Sequence, residues 1–438
     1  MSTVNSKPYV KKEEKLSQLA NTLIGSEIVR LGGEIKQKIK RGETIYNFTI
    51  GDFDSEIFPI PQKLEDEIVN AYRNKLTTYP PADGIIQLRE SVSKFINDRE
   101  GLHFETNEIL IAAGGRPLIY AVYRAIVDRG DKVIYAVPSW NNNHYVHFTE
   151  GKHEVIETTA ANNFMPTAED IQPHVHDAVL IALCSPLNPT GTVFQKEELE
   201  KICDMVLEEN NRRGEDEKKL YVMYDQMYWM LTFGDTVHYN PVSLRPEMKK
   251  YTIFIDGISK AFASTGVRVG WALGPEIVLS KMKAINSHLG AWSPMAEQHA
   301  TAKFLLMRDA VNEYLTNYKK ELEERLQLIY EGFMQLKSEG YAVAACAPQA
   351  AIYLTIQLSL VGKRTYLPDR QANNGNLLSS QSEVTTYILE NAKLAVVPFY
   401  AFGAAKDSDW YRLSVGTCRK EEIPEMFSKL KEALDNLH

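Results

Sequence analysis

Between Ile109 and Ile255 the chain carries five short, nearly unbroken apolar runs, at 109–113, 132–137, 178–184, 220–224 and 251–255. Continuous runs of this length, without polar alternation, predict strands covered on both faces. Segments between them repeat apolar residues at three- and four-residue spacing, as at 118–127 and 197–208, and predict helices. Strands alternating with helices give an α/β unit, a mainly parallel sheet sandwiched by helices. From 294 to 339 the pattern is helical and rich in charge, with Glu321, Glu323, Glu324 and Arg325, and predicts one long, partly solvated connecting helix. Beyond it, runs at 350–356, 394–397 and 410–414 read as strands, flanked by helices at 382–391 and 420–437, which makes a second, smaller α+β domain. The stretch 362–381, with Asn373-Asn374-Gly375-Asn376, predicts a mobile loop. The expected division is 1–50 as an N-terminal segment packing with the small domain, 51–310 as the large domain and 311–438 as the small one. There is no internal repeat and no low-complexity tract.

Composition narrows the function. The 438 residues, 44% hydrophobic and 24% charged, suffice for two folding units. A net charge of −8 and a pI near 5.8 argue against a nucleic-acid partner, which calls for a basic face. The first residues, including Lys11-Lys12-Glu13-Glu14, have no apolar stretch behind their charges, so the expectation is a cytoplasmic protein without signal peptide or membrane span. Cys184, Cys203, Cys346 and Cys418 are scattered without metal-ligand spacing, which suits a reducing compartment; Cys184 reads as an inert core thiol.

In parallel sheets ligands bind beyond the carboxyl ends of the strands. The residues that follow the five runs are Gly114-Gly115-Arg116-Pro117, Pro138-Ser139-Trp140, the segment from Ser185 to Gly191 that contains Asn188-Pro189-Thr190-Gly191, Asp225-Gln226-Met227-Tyr228, and Asp256-Gly257-Ile258-Ser259-Lys260. A glycine turn, an aromatic, an amide, a carboxylate and a lysine thus converge on one edge. Taken singly, each has a bland alternative: a solvated lysine, a helix-capping aspartate, a turn asparagine, a core tyrosine or tryptophan, a surface arginine.

Together, Asn188-Pro189-Thr190-Gly191, Asp225-x-x-Tyr228, Ser259-Lys260 with Arg268 eight positions on, and Arg412-Leu413-Ser414 resemble the class I and II aminotransferases of fold type I, in order and spacing, from about Ile45 to Leu430. The resemblance implies pyridoxal 5'-phosphate as cofactor and transfer of an amino group from an L-amino acid to a 2-oxo acid. It makes Lys260 the Schiff-base lysine and the general base at the substrate's α-carbon, Asp225 the partner of the pyridine nitrogen, and Asn188 and Tyr228 the donors to the phenolate oxygen. Trp140 would stack on the ring, and Gly115, Ser259 and Arg268 would hold the phosphate together with Tyr79 of a neighbouring subunit, which implies a homodimer with shared sites. Arg412 would grip the substrate α-carboxylate, with Gly51 as a backbone donor and Asn188 and Trp140 beside it.

Two hydroxyl residues common in the family are absent: Gly257 stands two before Ser259, and Arg116 follows the glycine pair. Arg116 is expected to replace their phosphate contacts with charge. Phe399-Tyr400 stands where many relatives have a glycine after proline. Aspartate and glutamate are the expected substrates, because an indole N–H at Trp140, helped by Asn143 or His144, can donate to a distal carboxylate. The alternatives are an aromatic substrate lined by Trp292, or C–S β-elimination on the same scaffold. A transcription-regulator role is disfavoured, since only about forty residues precede Ile45, too few for a DNA-binding helix-turn-helix.

Overall fold

The computed structural model describes residues 16–366 and 375–438, apart from Ile24 and Ser26. The charged start at Lys11–Glu14 and the asparagines 373 and 374 lie outside the described residues.

Among the described residues the large sheet has seven strands, in the order Ile109–Ala112, Gly270–Leu273, Thr252–Gly257, Tyr221–Asp225, Ala178–Cys184, Lys132–Val137, Lys152–Glu157. All pair in parallel except Gly270–Leu273, which is antiparallel to both neighbours. The five predicted runs are all present, and four of them are buried through nearly their whole length because helices cover both faces. Gly115–Ile126 packs on one face with Glu276–Leu289, while Lys196–Arg212 lies on the other.

A second, smaller unit is built on an antiparallel sheet in the order Val397–Pro398, Trp410–Ser414, Tyr353–Leu358, Val343–Ala345. The single strand expected at 394–397 is split at Val396: Leu394–Ala395 pairs with Tyr46–Asn47 and Val397–Pro398 with Trp410–Ser414, so each half joins a different sheet. The connecting helix is two helices. Met295–Leu305 ends at Leu306, and Arg308–Ser338 then runs for 31 residues. Val311 and Leu315 of the long helix pack into the large core, and Leu322, Leu326, Ile329 and Phe333 into the small one, so it clamps the two together. The predicted loop is partly paired: Arg364 bridges Leu377 and Thr365 bridges Leu437. No helix among the described residues is long and apolar enough to cross a membrane.

Candidate active site

The strand Thr252–Gly257 hands the chain to a one-turn helix, Ile258–Ala261, which carries Ser259 and Lys260. A Cβ at Gly257 would lie 2.7 Å from the Cα of Gly270 and 2.8 Å from the carbonyl oxygen of Val269. The antiparallel neighbour therefore leaves no room for a hydroxyl side chain here, which is the physical reason for one departure from the family pattern. Lys260 Nζ donates to the carbonyl oxygen of Gly51 at 2.5 Å. Burial is the main cause that brings its pKa down to about 8; Arg412, Arg116 and Arg268 push the same way, and Asp52 opposes them. A buried amine of lowered basicity is a usable nucleophile and base near neutral pH.

Asp225 ends its strand with its carboxylate accepting only the Met227 N–H, at 3.1 Å. Burial raises its pKa to about 6, and it forms no ion pair among the described residues. Three residues on, the Tyr228 hydroxyl lies 2.6 Å from that of Tyr353, which arrives from the small sheet. Burial drives the Tyr228 phenol well above its ordinary value, so it remains a donor.

Arg412, on the strand Trp410–Ser414, is 2% exposed. Its guanidinium donates to Asn188 Oδ1 at 3.1 Å and to the carbonyl oxygen of Thr49 at 2.6 Å, and it lies 4.7 Å from the Tyr353 ring centre and 4.9 Å from that of Phe402. Its Nε is buried without a hydrogen-bond partner, and it forms no ion pair with a carboxylate among the described residues. A desolvated guanidinium without a counter-ion is costly, and a carboxylate ligand relieves that cost with two parallel hydrogen bonds.

Gly114 takes a left-handed φ of 85°, which turns the chain sharply from the strand Ile109–Ala112 into the helix Gly115–Ile126. That helix start has no side-chain cap, so its N–H groups are open to a ligand. Arg268 fills the space against the turn: a Cβ on Gly114 would sit 2.2 Å from a guanidinium nitrogen, and the side chain donates to the carbonyls of Thr265 and Ala113 at 2.6 and 2.7 Å. A helix N-terminus facing an arginine can hold a phosphate. Arg116, on the first turn, holds its guanidinium 4.6 Å from the Trp140 ring centre and close enough to Arg268 to help lower that side chain's pKa.

Of the cofactor- and carboxylate-binding residues implied by the resemblance, all but Tyr79 line one cavity of about 330 Å³. Gly51, Asn188, Ser259 and Arg412 meet Lys260, Asp225 and Tyr228 there, and Gly115, Arg116, Trp140 and Arg268 complete the wall. Tyr79 is 84% exposed on the surface, edge-on to Trp292 at 5.2 Å. Trp292 belongs to that outer groove and does not line the cavity, because the chain turns away after the helix Glu276–Leu289. Asn142, not Asn143 or His144, reaches the cavity: the first turn of Asn142–Thr149 points the other two outward or aside. Cys184 also lines it, though burial pushes its thiol pKa well up, and it donates to the Pro186 carbonyl. Asp52, Thr265 and Tyr353 had no signal in the sequence. Thr265 donates to Asp52 beside Lys260, and Tyr353 comes from a strand of the other unit. No cluster that could hold a metal occurs among the described residues.

A buried amine of lowered basicity, a buried carboxylate and two guanidinium groups without a carboxylate partner among the described residues share one cavity, a set suited to an enzyme acting on amino acids. The chain belongs to the class I and II aminotransferases: the family model described as "Aminotransferase class I and II" matches residues 43–430. It is a transaminase of the pyridoxal-phosphate-dependent kind. It is 28% identical over 396 residues to an aspartate aminotransferase of Bacillus sp. (strain YM-2), covering 90% of this chain and 93% of that one. Its fold superposes on the aspartate aminotransferase of Rhizobium meliloti with a TM-score of 0.86 at 24% identity, over 97% of this chain and all of the other. It superposes on the Thermus thermophilus enzyme with maleate with a TM-score of 0.83 at 25% identity, over 96% and 100%.

Proposed function

We propose that this transaminase takes the amino group of aspartate or glutamate and delivers it to 2-oxoglutarate or oxaloacetate, working as a homodimer with shared sites. The observation that carries this reading is a second unpaired guanidinium in the cavity. Arg412 suits the α-carboxylate, Arg268 is committed to the glycine turn, and Arg116 beside Trp140 has no carboxylate partner among the described residues. A dicarboxylate substrate supplies the missing charge. The relatives named aspartate aminotransferase, and the maleate held by one similar structure, support the same reading.

The residues fit pyridoxal phosphate. Asp225, desolvated and without a cation, suits a protonated ring nitrogen; the Gly115 helix start with Arg268 suits the phosphate; Asn188 and Tyr228 can donate to a phenolate; and Trp140 offers a flat face. When bound, the cofactor supplies an electron-withdrawing ring that acidifies the bond to hydrogen at the substrate's α-carbon. Arg412 and Asn188 orient the α-carboxylate so that this hydrogen faces Lys260 Nζ. Lys260, with its basicity near neutral, would take the proton at that carbon and hold it on Nζ for return. The apolar walls from Tyr353, Met227 and Ile119 keep water out. The four cysteines are free, which supports a reducing, cytoplasmic setting.

Two outcomes test the reading. Arg116→Ala is expected to lower kcat/KM for aspartate by ~10- to 100-fold, the size of a lost charge-assisted hydrogen bond, while phenylalanine changes by less than ~3-fold and cofactor affinity holds. An equal fall for both substrates, with weakened cofactor, would return Arg116 to the phosphate role expected from the sequence. For the dimer, Tyr79 is exposed and cannot reach its own cavity. Mixing Tyr79→Phe with Lys260→Ala subunits should restore one intact site per heterodimer; an active monomer in sedimentation would contradict shared sites.

A further inference from the structure

A second groove, of about 740 Å³, lies between the C-terminal half of the helix Ile86–Glu100 and the start of Arg308–Ser338, with the segment 229–232 as its floor. It shares no residue with the active-site cavity. In a chain of net charge −8 its lining is cationic. Lys94 is paired with Asp98 at 3.0 Å and Lys320 with Glu324 at 3.9 Å, but Arg99, Arg308 and Lys319 form no ion pair among the described residues. Arg99 donates to the Asn312 side chain at 2.7 Å and lies 4.9 Å over the Phe95 ring. Glu323, four residues on from Lys319, accepts from the Gly234 N–H at 3.2 Å and acts on the Lys319 ammonium through space without forming an ion pair among the described residues.

We infer that this groove binds a nucleoside phosphate, with the phosphates on Arg99, Arg308 and Lys319 and the base on the apolar floor made by Trp229 and Met230. Arg99 and Arg308 repel one another: Arg99 is held below its ordinary pKa by burial and by Arg308, while burial lowers Lys319 against the opposing pull of Glu323. The uncapped start of a 31-residue helix adds its positive end on the same side, because Met307 offers no side-chain cap and Arg308 opens the first turn. Three separate cations exceed what one carboxylate can satisfy, so the fit is to a polyanion. The flat part of the ligand has its place as well. Trp229 is half-buried, 6.4 Å edge-on to Phe95, and locked by its indole N–H donating to Asp256 at 2.9 Å, so it presents a fixed face. A nucleic-acid polymer does not suit the acidic surface around a single local groove.

The test uses the holoenzyme with its cofactor fixed by borohydride, so that added phosphates cannot enter the active site. ADP should quench tryptophan emission saturably, and calorimetry should give one site per chain. Pyrophosphate and adenosine, each lacking one half of the ligand, should bind at least ~10-fold more weakly at constant ionic strength. Arg308→Gln with Lys319→Gln should weaken ADP by ~10-fold or more, whereas Arg308→Lys with Lys319→Arg should retain most of the binding. Transamination by the unreduced Gln variant should match the unsubstituted enzyme. Absence of saturable ADP binding, equal affinity in the Gln variant, or pyrophosphate binding as tightly as ADP would each overturn the inference.

Discussion

Lys260→Ala should lose turnover by at least ~10⁴-fold, the upper range for a positioned acid–base group, because no other amine lines the cavity. The loss is expected in kcat rather than in folding. The side chain's one strong contact is to the Gly51 carbonyl, and removing it relieves a buried charge rather than creating one. The variant should keep its thermal midpoint and still bind pyridoxal phosphate without a covalent link, since Asp225, Arg268 and the Gly115 turn remain. Borohydride treatment of the unsubstituted enzyme followed by peptide mapping should place the label on Lys260 and nowhere else. Residual turnover within ~10² of the unsubstituted enzyme would remove Lys260 from the proton transfer.

Asp225→Asn is the second large effect. Burial raises the carboxylate's pKa to about 6, so at pH 7 it is mostly ionised and ready to pair with a cationic ring nitrogen. An amide keeps the shape and the contact from the Met227 N–H but cannot hold that proton on the ring. Turnover should fall by ~10²- to 10⁴-fold, as for a lost preorganised electrostatic partner, with cofactor retention reduced far less. A variant with near-normal turnover would show that the carboxylate only ends the strand.

The site was legible where the fold makes it so. Buried parallel strands give continuous apolar runs, and the chemistry follows their ends, so Lys260, Asp225, Asn188 and the Gly114-Gly115 turn could be read in order. The strand Lys152–Glu157 was missed because it lies at the sheet edge with four of its six residues exposed, which hides it as a polar stretch. Gly270–Leu273 was missed because four residues running antiparallel after a turn carry no periodicity, yet its glycine decides why residue 257 has no side chain. Tyr353 and Asp52 reach the cavity from segments remote in sequence, and only tertiary packing brings them there. The resemblance supplied roles for Tyr79 and Arg412 that the pattern alone could not. Tyr79 lies outside the cavity of its own chain, and the charge of Arg412 is seen to be unpaired only once its surroundings are known.

The central claim, amino transfer from a dicarboxylic amino acid, is tested most directly by a single half-reaction. Holoenzyme mixed with aspartate and no acceptor should convert the absorbance of its bound cofactor completely, releasing one oxaloacetate per site, and 2-oxoglutarate should then restore the original spectrum. Phenylalanine should convert it at least ~10-fold more slowly. Continuous release of pyruvate and ammonia from a cysteine conjugate without acceptor, or faster conversion by phenylalanine than by aspartate, would contradict the account.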